Sequence, residues 1–355
     1  MTRYLLSAAA FTVALTVPQH SLIAARPGGT LTVVDLGTLG GTFSDAFGIN
    51  NDPNDIQVVG RSTRADGFTH AFFWTAAGRM IDLGTLGGGN SFASDINNHG
   101  VIAGTSDDAS RQRWPVIWTT SGGNWTIENL GTVTGACCGS ANGVNNGIAG
   151  DPSTVAVVGS SAVVSGETHA VMWRKSPSGW VVEDLGTPPG DVSSNAHDVN
   201  DDGTVVGVSG SAVGLYSAFR WTPSTGMVRL AGLGGETYAL AVSNNGDIAG
   251  LSTDGAGNRH AVRWRSGDQE IVDLGTLGGC CSESYGINSV GDIVGVSNIG
   301  KRTGTQRAFL AKPGARMTDL GGPRGQSAAR DLNDFGTVVG GSGPGQLHAV
   351  LWKLP

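Results

Sequence analysis

Apolar residues in this chain gather in short, nearly unbroken runs closed by glycine, asparagine or aspartate. None shows the three-to-four-residue spacing of a helix. Val58-Val59-Gly60-Arg61-Ser62, His70-Ala71-Phe72-Phe73-Trp74 and Met80-Ile81-Asp82-Leu83 are typical. Runs of this length without alternation are expected of strands buried on both faces. The turns between them, such as Asn97-Asn98-His99-Gly100 and Asn244-Asn245-Gly246, hold residues that accept the positive φ of tight hairpins. Four segments follow one another in a fixed order. Segment A ends in Asn, as in Ala46-Phe47-Gly48-Ile49-Asn50. Segment B reads Val-Val-Gly-x-Ser, C reads His-Ala-Phe-x-Trp, and D runs into Asp-Leu-Gly.

The whole unit then repeats. Asp35-Leu36-Gly37-Thr38-Leu39-Gly40-Gly41 returns letter for letter at 82–88 and 273–279, and in degraded form at 129–135, 184–190, 229–235 and 319–325. Seven copies of a four-strand unit predict an all-β, seven-bladed β-propeller of four-stranded antiparallel blades. A β-helix needs shorter coils, and a sandwich does not repeat seven times. The last C segment, 348–352, is followed only by Lys353-Leu354-Pro355, so the final blade lacks its outer strand. That strand is present at the other end of the chain, at 31–36. The ring is therefore expected to close by pairing the N-terminal strand with the last blade, which leaves no severed edge.

Taken together, His-Ala-Phe, Asp-Leu-Gly-Thr-Leu-Gly-Gly and Val-Val-Gly-x-Ser resemble the bacterial HAF-repeat family of extracellular proteins. The resemblance spans 31 to 352 and implies secretion and a repeated β fold; it brings no activity and no catalytic residues. Departures from the pattern are Trp114-Pro115-Val116, Ser217-Ala218-Phe219 and Arg307-Ala308-Phe309 in place of His-Ala-Phe, Ala311 in place of the Trp, and Ser243 in place of the Asn.

Composition narrows the partners. Charged residues are 14% and the net charge is −7, with no run of Lys or Arg. A nucleic-acid partner, which requires a basic stripe to displace counterions, is excluded on that ground. Arg3 followed by an apolar stretch at 5–17 and small residues at Ala24 and Ala25 reads as a secretory signal over 1–25, with a single domain over 26–355. The stretch is too short to span a bilayer, which takes ~20 residues. An extracellular or periplasmic monomer is the expectation. In such a compartment the vicinal pairs Cys137-Cys138 and Cys280-Cys281 are expected to form local disulfides. Cross-links between the pairs and a zinc site are the alternatives, the latter lacking the usual ligand spacing.

The remaining chemistry is sparse. Asp95, Asp198 and Asp331 occupy the third position of segment A, which is expected to line the central channel. There they either hold a cation or cationic ligand, or accept from backbone donors of a neighbouring turn. Trp125 and Trp180 open segment D as either sugar-stacking platforms or inter-blade packing. Asp198-Val199-Asn200-Asp201-Asp202-Gly203 matches the opening of a calcium loop, but Ser209 stands where the bidentate Glu belongs. The recurring His residues lie too far apart to share a metal and are expected to bond to the recurring Ser or Asp. The Gly-rich turns lack the Lys and the helix of a phosphate loop. Loops that break the repeat, at 52–55 and 147–156, are candidates for specificity.

These features favour a secreted binding scaffold with carbohydrate or protein as partner. A polysaccharide lyase or hydrolase at the channel mouth, and a structural envelope or matrix component, are the competing classes. Carboxylates, His and Arg gathered on the channel face would favour the enzyme.

Overall fold

The computed structural model describes residues 22–26, 29–135, 137–267, 270–300, 304–322 and 325–354. Seven antiparallel sheets follow one another around a ring, at 40–82, 87–129, 139–186, 191–229, 234–273, 278–319 and 326–353. Blades 1 to 6 each have four strands, A innermost and D outermost. The structure is the seven-bladed propeller that the repeat predicts. Each A–B and C–D loop lies on one face of the ring, and each B–C and D–A loop on the other.

Blade 7 takes its outer strand from the start of the chain. Gly29–Asp35 pairs with His348–Lys353, with Val33 opposite Trp352 and Asp35 opposite Val350. Val33 and Leu36 are each 5% exposed in this seam. Leu22–Arg26 adds a fifth strand outside it. The expected cleavage point falls inside that fifth strand, and most of the expected signal lies outside the described residues.

The core is divided. Seven apolar clusters each fill one gap between neighbouring blades. In six of them a segment-C tryptophan (Trp74, Trp118, Trp173, Trp221, Trp264 or Trp352) supplies the largest side chain, and Ala311 takes that place in the gap between blades 5 and 6.

The Gly-x-Ser element follows from a bulge. In every blade, strand A carries one extra residue against strand B, at Ala46/Gly48 in blade 1 and at the equivalent place elsewhere. The bulge drives a strand-A carbonyl towards the strand-B glycine. A Cβ on Gly60 would lie 2.1 Å from the Asp45 oxygen, and one on Gly250 would lie 1.9 Å from that of Tyr238. Only glycine fits. The serine two residues on anchors the Gly-rich turn: Ser62, Ser106, Ser252 and Ser297 accept from the N–H of Leu39, Leu86, Leu233 and Leu277 at 2.8–2.9 Å.

Side chains also link blade to blade. Strand-A Ser44, Ser91, Ser194, Ser282 and Ser327 accept from the segment-C alanine N–H of the preceding blade. Between blades 2 and 3 both partners change together. Pro115 has no N–H to give, and Gly139 stands where the serine would. The proline departure is thus matched by its neighbour.

The A–B face is laced by the asparagines that end strand A. Asn97, Asn145, Asn200, Asn288 and Asn333 donate to the carbonyl of the corresponding residue in the next blade. At Ser243 the role passes to Asn245, which donates to Ser289. The insertions at 52–55 and 147–156 lie on this same face, the second as two short 3-10 turns, Ile148–Gly150 and Pro152–Thr154.

Candidate functional site

Asp95, Asp198 and Asp331 do line the channel, and they are spent on architecture. Each accepts from the N–H of its own following residue at 2.7–2.8 Å. The second oxygen of each accepts from strand A of the next blade, from Val144, Val242 and Ile49 at 2.8–3.0 Å. The residue facing each aspartate from the preceding blade is a glycine. A Cβ on Gly48, Gly143 or Gly286 would sit 2.9–3.0 Å from the aspartate Cα. The three carboxylates keep some contact with channel solvent but are enclosed by protein. Burial, and secondarily the Asp198 charge, lifts Asp95 to about 7, and burial lifts Asp198 to about 6. Asp331 is raised well above the usual range, again by burial first and Asp95 second. The backbone-donor reading of these residues is the one the geometry supports. In the calcium-like loop Asp198 turns to blade 5, while Asp201 accepts from Asn146 of blade 3 and Asn244 of blade 5.

The recurring histidines pair with the recurring aspartate of their own blade. His70, His169, His260 and His348 contact Asp82, Asp184, Asp273 and Asp35 at 2.7–3.0 Å. The same aspartates accept from the glycine N–H two residues on, closing the Gly-rich turn. Where Asn129 or Arg229 replaces the aspartate, the histidine is gone too, replaced by Trp114 and Ser217. Trp125 packs against Phe73 in a tilted pair with centroids 4.7 Å apart, and Trp180 packs on the cluster between blades 2 and 3 beneath Lys175. Both take the packing role. Cys137-Cys138 and Cys280-Cys281 lie as adjacent side chains, the Cys280 and Cys281 sulfurs 2.6 Å apart.

Chemistry not absorbed by the frame collects on the B–C/D–A face of blades 7, 1 and 2. Its outer part is a cleft of about 740 Å³ between blades 1 and 2, lined by Arg64, Phe68, His70, Gly88, Gly89, Asn90, Asp107 and Arg111. Phe68 is 51% exposed and its ring sits so close to Gly89 that a Cβ there would lie 2.6 Å from Cε1. Arg111 sits at the hairpin position filled by Gly67, Gly166, Gly214 and Gly257 in other blades, and keeps their left-handed backbone with φ 63°. Its guanidinium is exposed, with no side-chain partner among the described residues. Arg64 is held by Asp66 at 3.2 Å and Asp82 at 3.6 Å, and reaches within 3.3 Å of His70 Nε2. Asn90 donates to Asp107 at 3.0 Å. A smaller pocket between blades 5 and 6, about 170 Å³, is lined by Arg263, Leu274 and Pro313, and its Arg263 is committed to Asp247.

The inner part lies at the channel mouth. Tyr285, Arg330 and Phe47 are the bulge residues of blades 6, 7 and 1, and Arg330 stacks on both neighbours, 4.8 Å and 5.5 Å from their ring centroids. Arg61, the variable residue of Gly-x-Ser in blade 1, lies 5.2–5.8 Å from the rings of Phe43, Phe47 and Phe92. Asp45 sits behind, 3.3 Å from Arg330 and 1% exposed, in the space left open by Gly341. Burial pushes its carboxyl up, against the pull of Arg330 and Arg61. Burial likewise lowers the Arg61 guanidinium.

Of these mouth and cleft residues His70 and Gly88 belong to the repeated motifs, and the others occupy positions where the repeat varies. The signal was there in negative form. Arg61 breaks a column held elsewhere by Thr105, Ser160, Val208, Leu251, Val296 and Gly341, and Arg111 one held by glycine in four other blades. The break loops at 52–55 and 147–156, by contrast, lie on the opposite face from the cleft.

No protein-family model matches the chain, and no curated protein matches it in sequence. Solved structures share its fold. The β-propeller domain of the Trilobed protease from Pyrococcus furiosus, described as having an open velcro topology, aligns with TM-score 0.58 and 10% identity, over 88% of this chain and 97% of that one. Acylaminoacyl peptidase aligns with TM-score 0.53 and 11% identity, over 87% of this chain and 51% of that one. TolB from Acinetobacter baumannii gives TM-score 0.46 and 11% identity, over 86% and 78%. At these identities the likeness is one of fold. No helix among the described residues is long and apolar enough to cross a membrane.

Proposed function

We propose that the protein is an exported, HAF-repeat-like binding scaffold that takes a saccharide in the cleft between blades 1 and 2. The observation that carries this reading is the half-exposed Phe68 ring seated on Gly89, with Arg111 standing over the same cleft in a strained conformation. A flat apolar face ringed by planar hydrogen-bonding groups (Arg111, Asn90, Asp107) suits a sugar ring, which offers an apolar C–H face and equatorial hydroxyls. Left-handed backbone on a non-glycine residue costs of order 1–3 kcal/mol, which a turn has no structural reason to bear. The export half of the reading rests on Arg3 and the apolar stretch that follows it. Catalysis is less well supported, since the repeated Ser, His and Asp are all engaged in the frame and the channel-mouth cluster contains no histidine.

The test is a calorimetric screen of neutral and acidic oligosaccharides, followed by two variants. Arg111→Gly restores the residue that four other blades use, so the fold should be as stable or more so while affinity falls at least tenfold. Phe68→Ala should lose binding. Retention of full affinity in both variants would remove the cleft from consideration, and product formation during the titration would move the assignment to the enzyme class.

A further inference from the structure

We infer that the channel mouth is a second, separate binding site, and that it receives a carboxylate-bearing ligand between Arg61 and Arg330. This does not depend on the saccharide reading of the cleft. The first ground is charge. Arg61 and Arg330 approach the same Phe47 ring at 5.2 and 5.5 Å, and a single carboxylate, Asp45, serves both. The other charges nearby are already matched. Glu283 contacts Arg259 at 3.3 Å and accepts from Tyr285 at 2.7 Å, and Arg113 lies 3.7 Å from Asp107. The mouth therefore holds one net positive charge, which fits a monoanion better than a dianion such as phosphate.

The second ground is unmet hydrogen bonding. Nε of Arg61, Nε of Arg330 and Oδ1 of Asp45 are buried with no partner. Burying an unpaired polar group costs about 1–3 kcal/mol. A latch between blades 7 and 1 needs only one arginine, and a buried ion pair is a poor source of stability. The two guanidiniums lie over aromatic rings, and apart from the Nη2 by which Arg330 donates to Asp45 their N–H groups suit a carboxylate received by paired hydrogen bonds. Arg330 retains 24% side-chain exposure while Asp45 has 1%, so an incoming anion meets the arginines with the aspartate behind them. Phe43, Phe47, Phe92 and Tyr285 wall the space with rings. The ligand they suit carries its carboxylate on an apolar or ring-shaped body.

The third ground is placement. Phe47, Arg330 and Tyr285 are three successive bulge residues, and bulges re-aim side chains at sites of function. In blades 3 and 4 the equivalent residues are spent internally: Asn142 donates to Asn195 and Ala196, and His197 bonds to the Ala239 carbonyl.

The experiment is isothermal titration of the full chain at low salt with sodium D-glucuronate, sodium benzoate and inorganic phosphate, against methyl β-D-glucoside as the neutral control. It is repeated in the Phe68→Ala, Arg111→Gly background, where the cleft is disabled. The carboxylates should bind in both proteins, more tightly than phosphate, and weaken as salt is added. Arg330→Gln should weaken them at least tenfold. Asp45→Asn should tighten them several-fold, because Asp45 competes for the same guanidiniums; a merely structural aspartate would not produce a gain. If Asp45→Asn does not fold, Arg61→Gln takes its place and must weaken binding at least tenfold. Equal affinity for glucuronate and the neutral glucoside, preference for phosphate, or unchanged affinity in folded Arg330→Gln would each overturn the assignment.

Discussion

Blades 2 and 3 carry a natural double replacement that can be transplanted. Ala71 of blade 1 donates its N–H to Ser91 at 2.9 Å, and Ser91 donates on to the Gly84 carbonyl at 2.7 Å; both residues are 0% exposed. One blade further on the same positions are Pro115 and Gly139, and a Cβ on Gly139 would lie 3.3 Å from Pro115 Cδ. Ser91→Gly alone orphans a buried N–H, at about 1–3 kcal/mol, and adds ~0.5–1 kcal/mol for glycine in a strand. Ala71→Pro alone drives a ring into the Ser91 hydroxyl, an overpacking of about 1–3 kcal/mol. The double variant has neither the orphan donor nor the clash. It should be about 2 kcal/mol more stable than the sum of the single changes predicts, a coupling typical of residues in contact. Urea denaturation followed by circular dichroism measures all four proteins, with unfolding rates used where unfolding is irreversible. Additivity within about 0.5 kcal/mol would refute the account of why proline and glycine occur together.

Two further predictions concern the ring. Deleting residues 22–35 strips the outer strand from blade 7 and exposes Leu36 along with the Trp352 edge. Losing the Val33 and Leu36 burial should cost roughly 3–6 kcal/mol, visible as a lower melting temperature and, from the bared edge, association on size exclusion; an unchanged melt and elution volume would count against closure by this strand. The channel carboxylates make stability depend on pH. Their folded pKa values lie above the unfolded value of about 3.9, so their contribution is fully present below pH 4 and is lost as pH rises through about 6 for Asp198 and about 7 for Asp95. The melting temperature should fall between about pH 4 and about pH 7, and Asp95→Ala should flatten that slope; a profile that rises over this window would show the shifts to be wrong.

Much of this fold is legible in the sequence. The period of the Asp-Leu-Gly turn, the count of segments and the orphan strand at 31–36 determine seven blades and the seam, because each repeat cannot bury its faces alone and must be stacked. The sequence also marks Gly60 and its equivalents, Ser62 and its equivalents, and the His–Asp pairs as repeated, though without saying what each meets. Their reasons are tertiary: a bulged carbonyl 2 Å from a would-be Cβ, a turn N–H in need of an acceptor, a neighbouring blade's backbone. The site was legible least. Asp45, Arg61 and Phe68 belong to the first repeat and Arg330 to the last, and only ring closure sets blade 7 beside blade 1. A repeating pattern reports what every blade needs in order to stack. What a single face of the ring does is written in the residues that depart from it, and their convergence is decided by the packing of the closed ring.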